Sequence, residues 1–89
     1  MRKELRINEV VFSTELGEIL ILLNTESGKY LELNKTAKFI WKQLEEGLDE
    51  EAIIEKITDI YDLTHEEATS SFDTFTKDCL NKGLLKEEI

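Results

Sequence analysis

The chain reads as a small α+β domain in which a three-stranded antiparallel sheet precedes a three-helix bundle, and three observations predict it. Residues 29–33 alternate, with Leu31 and Leu33 on one side of a strand and Tyr30 and Glu32 on the other. That is the period of a sheet with one dry face. Residues 19–23 form an unbroken apolar run, the character of a strand in contact on both of its faces. From Asn34 onward the period becomes helical, in segments opened by Asn34, Asp49 and Thr64. Such residues accept hydrogen bonds from the free amides of a first helical turn.

Taken in order, Leu5 and Ile7 alternate, the phase shifts at Glu9, and Val10 and Phe12 continue it. This predicts either one strand broken by a bulge or two short pieces. Residues 18–23 make the central strand. The cluster Asn24-Thr25-Glu26-Ser27-Gly28 is a turn leading into the third strand, residues 29–33. An antiparallel meander with the second strand in the middle leaves the third as a sheet edge. Strand then meets helix with no loop: Asn34 is the cap, Ala37, Ile40, Trp41 and Leu44 follow at helical spacing, and Gly47 closes the helix. The second helix runs from Asp49 to about Tyr61. Its early acids Asp49, Glu50 and Glu51 suit the positive end of the dipole, and Ile53, Ile54, Ile57 and Ile60 form its apolar stripe. Thr64 and Glu67 have the spacing of a capping box for a third helix, which buries Ala68, Phe72, Phe75 and Cys79 and ends at Gly83. Leu84 and Leu85 are expected to tuck back into the core.

With 89 residues the chain is expected to be one domain, 1–89, with a small core, because a chain of this size removes only roughly 60 to 65% of its extended surface from water. The formal charge of −9, from 20 acids against 11 Lys and Arg, opposes binding to phosphate backbones. A single cysteine and no apolar signal segment after Met1 imply a cytoplasmic location. The longest apolar run is far short of the ~20 residues that span a bilayer, so no membrane role is expected.

Catalytic chemistry has little to stand on. Cys79 lies on an apolar helix face without a basic neighbour at helical spacing, and there a thiol behaves as a small hydrophobe. His65 follows a helix cap and lacks a nucleophile and an orienting acid. One His and one Cys make no metal site, and no cofactor is implied. Glu45/Glu46 and Glu50/Glu51 fall on polar helix faces, and Trp41 reads as core of the first helix. Three strands followed by three helices is also the parts list of winged helix-turn-helix DNA binders, so a small DNA-binding regulator is the alternative. Its third helix, however, carries Glu66, Glu67, Asp73 and Asp78 against Lys77 and Lys82, where a reading helix presents bases and amides.

What remains is the edge strand. Its unpaired backbone groups could accept an extended peptide as a further strand, or be covered by the chain itself. The sequence leaves open whether Tyr30 and Glu32 or Leu31 turn their amides outward. The run Gly28-Lys29-Tyr30-Leu31-Glu32-Leu33-Asn34-Lys35-Thr36-Ala37-Lys38-Phe39-Ile40-Trp41, with Glu46-Gly47 after it and Lys82-Gly83-Leu84-Leu85 near the end, resembles the PqqD-like recognition domains of ribosomally made, modified peptides. The resemblance runs from about residue 9 to residue 85 and lies in order and spacing. It implies a winged-helix-type fold and a non-catalytic function, in which a precursor's leader peptide is bound and presented to a modifying enzyme such as a leader peptidase, a cyclase or a radical enzyme. It implies a leader held antiparallel to the third strand and against the third helix. Carried onto this sequence, that gives Lys29, Tyr30, Leu31, Glu32 and Leu33, with Ser71, Phe75, Asp78, Cys79 and Lys82 from the helix. Ser71 departs from the acidic residue of many relatives, so recognition of a basic leader residue in their manner does not carry over. Lasso-peptide and radical-enzyme pathways, the pyrroloquinoline quinone route included, are not separated by these residues.

Overall fold

A computed structural model describes residues 4–88; the two ends of the expected 1–89 domain, residues 1–3 and Ile89, lie outside the described residues. The elements in chain order are β1 (Glu4–Ile7), β2 (Val11–Leu16), β3 (Ile19–Asn24), β4 (Tyr30–Leu33), α1 (Lys35–Glu45), α2 (Glu50–Tyr61), α3 (His65–Asn81) and β5 (Leu85–Glu88). β2, β3 and β4 form an antiparallel sheet in that order, with β3 central and β4 on an edge. Gly17 at φ 64° alone takes the left-handed conformation in the two-residue connection between β2 and β3, the pattern of a type II′ hairpin.

The N-terminal segment is two pieces, and they belong to different sheets. β2 joins the meander, whereas β1 pairs antiparallel with β5, Leu5 opposite Glu87 and Ile7 opposite Leu85. This second sheet was not expected from sequence. Leu84 and Leu85 do enter the core, at 0% and 2% exposure, and the chain beyond them continues as a strand rather than a tail.

Each helix starts where its cap predicts. Asn34, Asp49 and Thr64 accept from the amides of Ala37, Ala52 and Glu67, and Glu67 returns a bond to the Thr64 amide, closing the capping box. Asp49 serves as the cap of α2 rather than its first residue. The sheet and helices enclose a core of Leu20, Leu22 and Leu33 from the strands with Ile40, Trp41, Ile53, Ile57, Ala68, Phe72 and Cys79 from the helices. Two expectations differ. Ile60 is 57% exposed: it lies in the last turn of α2, beyond the buried Ile53, Ile54 and Ile57. β3 is covered on one face only: Leu20 and Leu22 are buried, while Ile19 is 45% exposed and Ile21 and Leu23 are half-buried.

The sheet and the end of α3 are tied together by Asn24. Its Nδ2 donates to the carbonyls of Lys82 (3.2 Å) and Gly83 (3.1 Å), and its Oδ1 accepts from the amides of Glu26 (2.9 Å) and Ser27 (3.1 Å). Gly83 is required at this contact. Its φ is 69°, and a Cβ there would stand 2.6 Å from the Asn24 Nδ2. The turn before β4 and the C-terminus of α3 are thereby held at a fixed spacing.

Candidate functional site

Between the free edge of β4 and the flank of α3 lies an open groove of ≈ 600 Å³. Its walls follow from the two periods of the chain. Alternation sends Leu31 and Leu33 toward the helices, and helical spacing brings Ser71, Phe75 and Asp78 of α3 to face them. The start of α1 and Leu63 close the floor and one end. The volume falls in the range of about 300 to 1,000 Å³ usual for ligand sites, and the lining mixes aliphatic carbon, the Phe75 ring and small hydroxyls with the carboxylates of Glu32 and Asp78.

The register of the sheet decides which backbone groups of β4 face that groove. Leu22 lies opposite Leu31 and Ile21 opposite Glu32. Just beyond, the Asn24 amide donates to the Lys29 carbonyl at 2.8 Å, so Asn24 and Lys29 are a hydrogen-bonded pair. Pairs alternate along an antiparallel ladder. Leu31 and Leu33 therefore turn their amides and carbonyls to β3, and Tyr30 and Glu32 turn theirs away from it. The other side of β3 agrees: the Thr25 amide donates to the Val10 carbonyl at 3.1 Å, which gives the odd-numbered residues of β3 to β2 and the even-numbered ones to β4. The outward set, open in the sequence, is thus Tyr30 and Glu32.

Of the ten residues carried over from the resemblance, Leu31, Glu32, Leu33, Ser71, Phe75 and Asp78 line the groove. Lys29 and Tyr30 are exposed at the start of the strand. Lys82 sits at the end of α3 and forms an ion pair with Asp78, Nζ to Oδ1 2.6 Å, placing a neutralised pair at that end of the groove. Cys79 is buried at 0% exposure and outside the groove. Burial pushes its thiol up to about 12, with the Asp78 charge adding to the effect, so it is a core atom in both packing and chemistry. Sequence reasoning missed Ser70, Thr74, Leu63, Asn34, Thr36, Ala37 and Ile40 as lining. Ser70 and Thr74 could have been found, since they share the flank of α3 that carries Ser71, Phe75 and Asp78.

Outside the groove, Glu15 of β2 is held below the usual carboxylate range by hydrogen bonds from Lys42 and then Lys38 of α1. Among the described residues no group of three or more His, Cys, Asp or Glu side chains could hold a metal ion, and no helix is long and apolar enough to cross a membrane. The arrangement offers edge amides and carbonyls, an apolar wall and hydroxyl groups. Such groups are the kind that can hold an extended chain by strand addition.

Comparison with known proteins bears on the family and the fold. The family model for coenzyme PQQ synthesis protein D (PqqD) matches residues 20–85. A structure of TbiB1 in complex with the TbiA(beta) leader peptide is similar at TM-score 0.85 and 28% identity, covering 91% of this chain and 94% of that one. A lasso peptide synthetase B1 complexed with the leader peptide is similar in fold at TM-score 0.85 and 22% identity, covering 93% and 98%. A search of curated proteins gave no match.

Proposed function

The chain belongs to the PqqD family, and from that premise we propose that it binds the leader region of a ribosomally made precursor peptide and presents it to a modifying enzyme, itself catalysing nothing. The observation that carries this reading is the free edge of β4: the amides and carbonyls of Tyr30 and Glu32 point away from β3 beside a groove walled by α3. A leader strand laid antiparallel along β4 satisfies those groups, as strand addition requires. Its inward side chains enter the space between Leu31, Leu33 and Phe75. The hydroxyls of Ser70, Ser71 and Thr74 suit small polar or aromatic hydroxyl-bearing leader residues there. The likeness to two proteins solved in complex with leader peptides supports the peptide as ligand. The enzyme served is a leader peptidase, a cyclase or a radical enzyme acting on the same precursor.

Proline substitution tests it. Proline removes one backbone donor and is tolerated where that donor has no ladder partner. Tyr30→Pro and Glu32→Pro should stay folded by circular dichroism and lose most affinity for the cognate precursor's leader peptide. Leu31→Pro should damage the fold. Folded Tyr30→Pro and Glu32→Pro variants that titrate the leader like the parent would place the peptide elsewhere.

A further inference from the structure

The face of the main sheet that turns away from the helices is apolar and uncovered. The register brings Phe12 opposite Leu23, Leu16 opposite Ile19 and Leu23 opposite Tyr30, all on one side. Phe12 is 59% exposed, Leu16 61%, Ile19 45% and Tyr30 60%, with Ile21 and Leu23 half-buried between them. Large apolar side chains gathered on one face in this way mark an interaction surface. Residues 19–23 carry the unbroken apolar character of a strand covered on both sides, whereas the folded chain covers one. The helices take no part in this face, and Glu32 at its β4 margin is the residue it shares with the groove.

We propose that this outer sheet face is the surface through which the domain docks onto its peptide-modifying enzyme, and that the enzyme's complementary surface is an apolar patch edged by Lys and Arg. Charge selects that partner. Glu18 stands in the turn at one end of β3, Glu26 in the turn at the other, and Glu32 on the β4 side of the face itself, in a chain of net charge −9. A second copy of the chain would set these acids against their own kind; a basic rim complements them and speeds encounter. The position of the face adds a consequence, which rests on the leader reading above. A strand added at β4 extends the same sheet, so every second leader side chain joins Tyr30 and Phe12 on the outer face. The enzyme then meets domain and leader as one continuous surface, and binds the loaded domain more tightly than the empty one.

The test uses the full chain, the cognate leader peptide and the purified enzyme that modifies the same precursor. The variant Phe12→Thr/Leu16→Thr/Ile19→Thr keeps β-forming residues on the strands and touches no residue placed in the groove. It is expected to melt like the parent and bind leader with unchanged affinity, and to bind the enzyme at least about tenfold more weakly. Glu18→Lys should weaken enzyme binding at low salt and lose that effect at high salt. Enzyme binding that survives the triple substitution overturns the proposal. So does sedimentation showing the parent to be a dimer that the triple substitution dissociates, since the face then belongs to a second copy. Should the triple variant fail to fold, Phe12→Thr alone carries the same comparison. A parent chain that binds enzyme through this face but no leader would sink the leader reading and leave the docking face standing.

Discussion

Trp41 is the residue on which the core turns, and its spacing with Ile40 and Leu44 in the sequence already placed it inside. It is 1% exposed, and its Nε1 has no hydrogen-bond partner among the described residues. Trp41→Ala should cost on the order of 3 to 5 kcal/mol, a large part of the roughly 5 to 10 kcal/mol that holds such a domain together. A thermal melt reads it directly. Trp41→Phe should cost clearly less, because it keeps an aromatic ring and removes an unpaired donor whose burial is itself unfavourable by about 1 to 3 kcal/mol. Cys79 was equally legible as core, from its place one turn after Phe75. With its thiol raised to about 12 by burial, it should resist a thiol reagent at pH 8 in the native protein and react fully once denatured. Its assignment to the peptide site came from the resemblance alone, and 0% exposure leaves it no surface to offer. Cys79→Ser should therefore lower the melting temperature without a separate effect on leader affinity.

The helices were readable because caps and apolar stripes are local signals. Thr64→Ala should cost about 0.5 to 2 kcal/mol, since it leaves the Glu67 amide unpaired. Glu67 is held below its ordinary value first by the Thr64 backbone amide and then by its side chain. A lowered folded-state value means stability that is present above the unfolded carboxylate value, about 4.3, and lost as pH falls through the folded one. The gap in melting temperature between the parent and Glu67→Ala should thus be full at neutral pH and shrink below about pH 4. A gap that is constant with pH would mean that the carboxylate does not act through its charge. Strands were less legible. β1 and β5 pair across nearly the whole chain, and no local period announces a partner 80 residues away; Leu5 and Ile7 showed the alternation but not its destination. The outward set of β4 was hidden for a related reason. It depends on how the turn after Asn24 closes the Asn24 and Lys29 pair, which alternation of side chains does not fix.

At the scale of the molecule, one sheet divides three tasks. Its inner face builds the core, its β4 edge faces the groove, and its outer face stays apolar and open. The run of residues 19–23 announced two covered faces, and the folded chain supplies one; the missing cover is what a partner provides. Charge works at this scale too. The net −9 and the acidic α3 predict no sequence-selective DNA binding at physiological salt. A gel shift with sub-micromolar, selective binding would favour a regulator instead. The central claim, that a leader strand completes the sheet at β4, is tested most directly by residue-resolved amide hydrogen exchange with and without the leader peptide. The account predicts that the Tyr30 and Glu32 amides exchange readily in the free protein and become strongly protected when the leader is bound, while Leu31 and Leu33, already bonded to β3, change little. A leader that binds tightly and leaves the Tyr30 and Glu32 amides exchanging as before would contradict it.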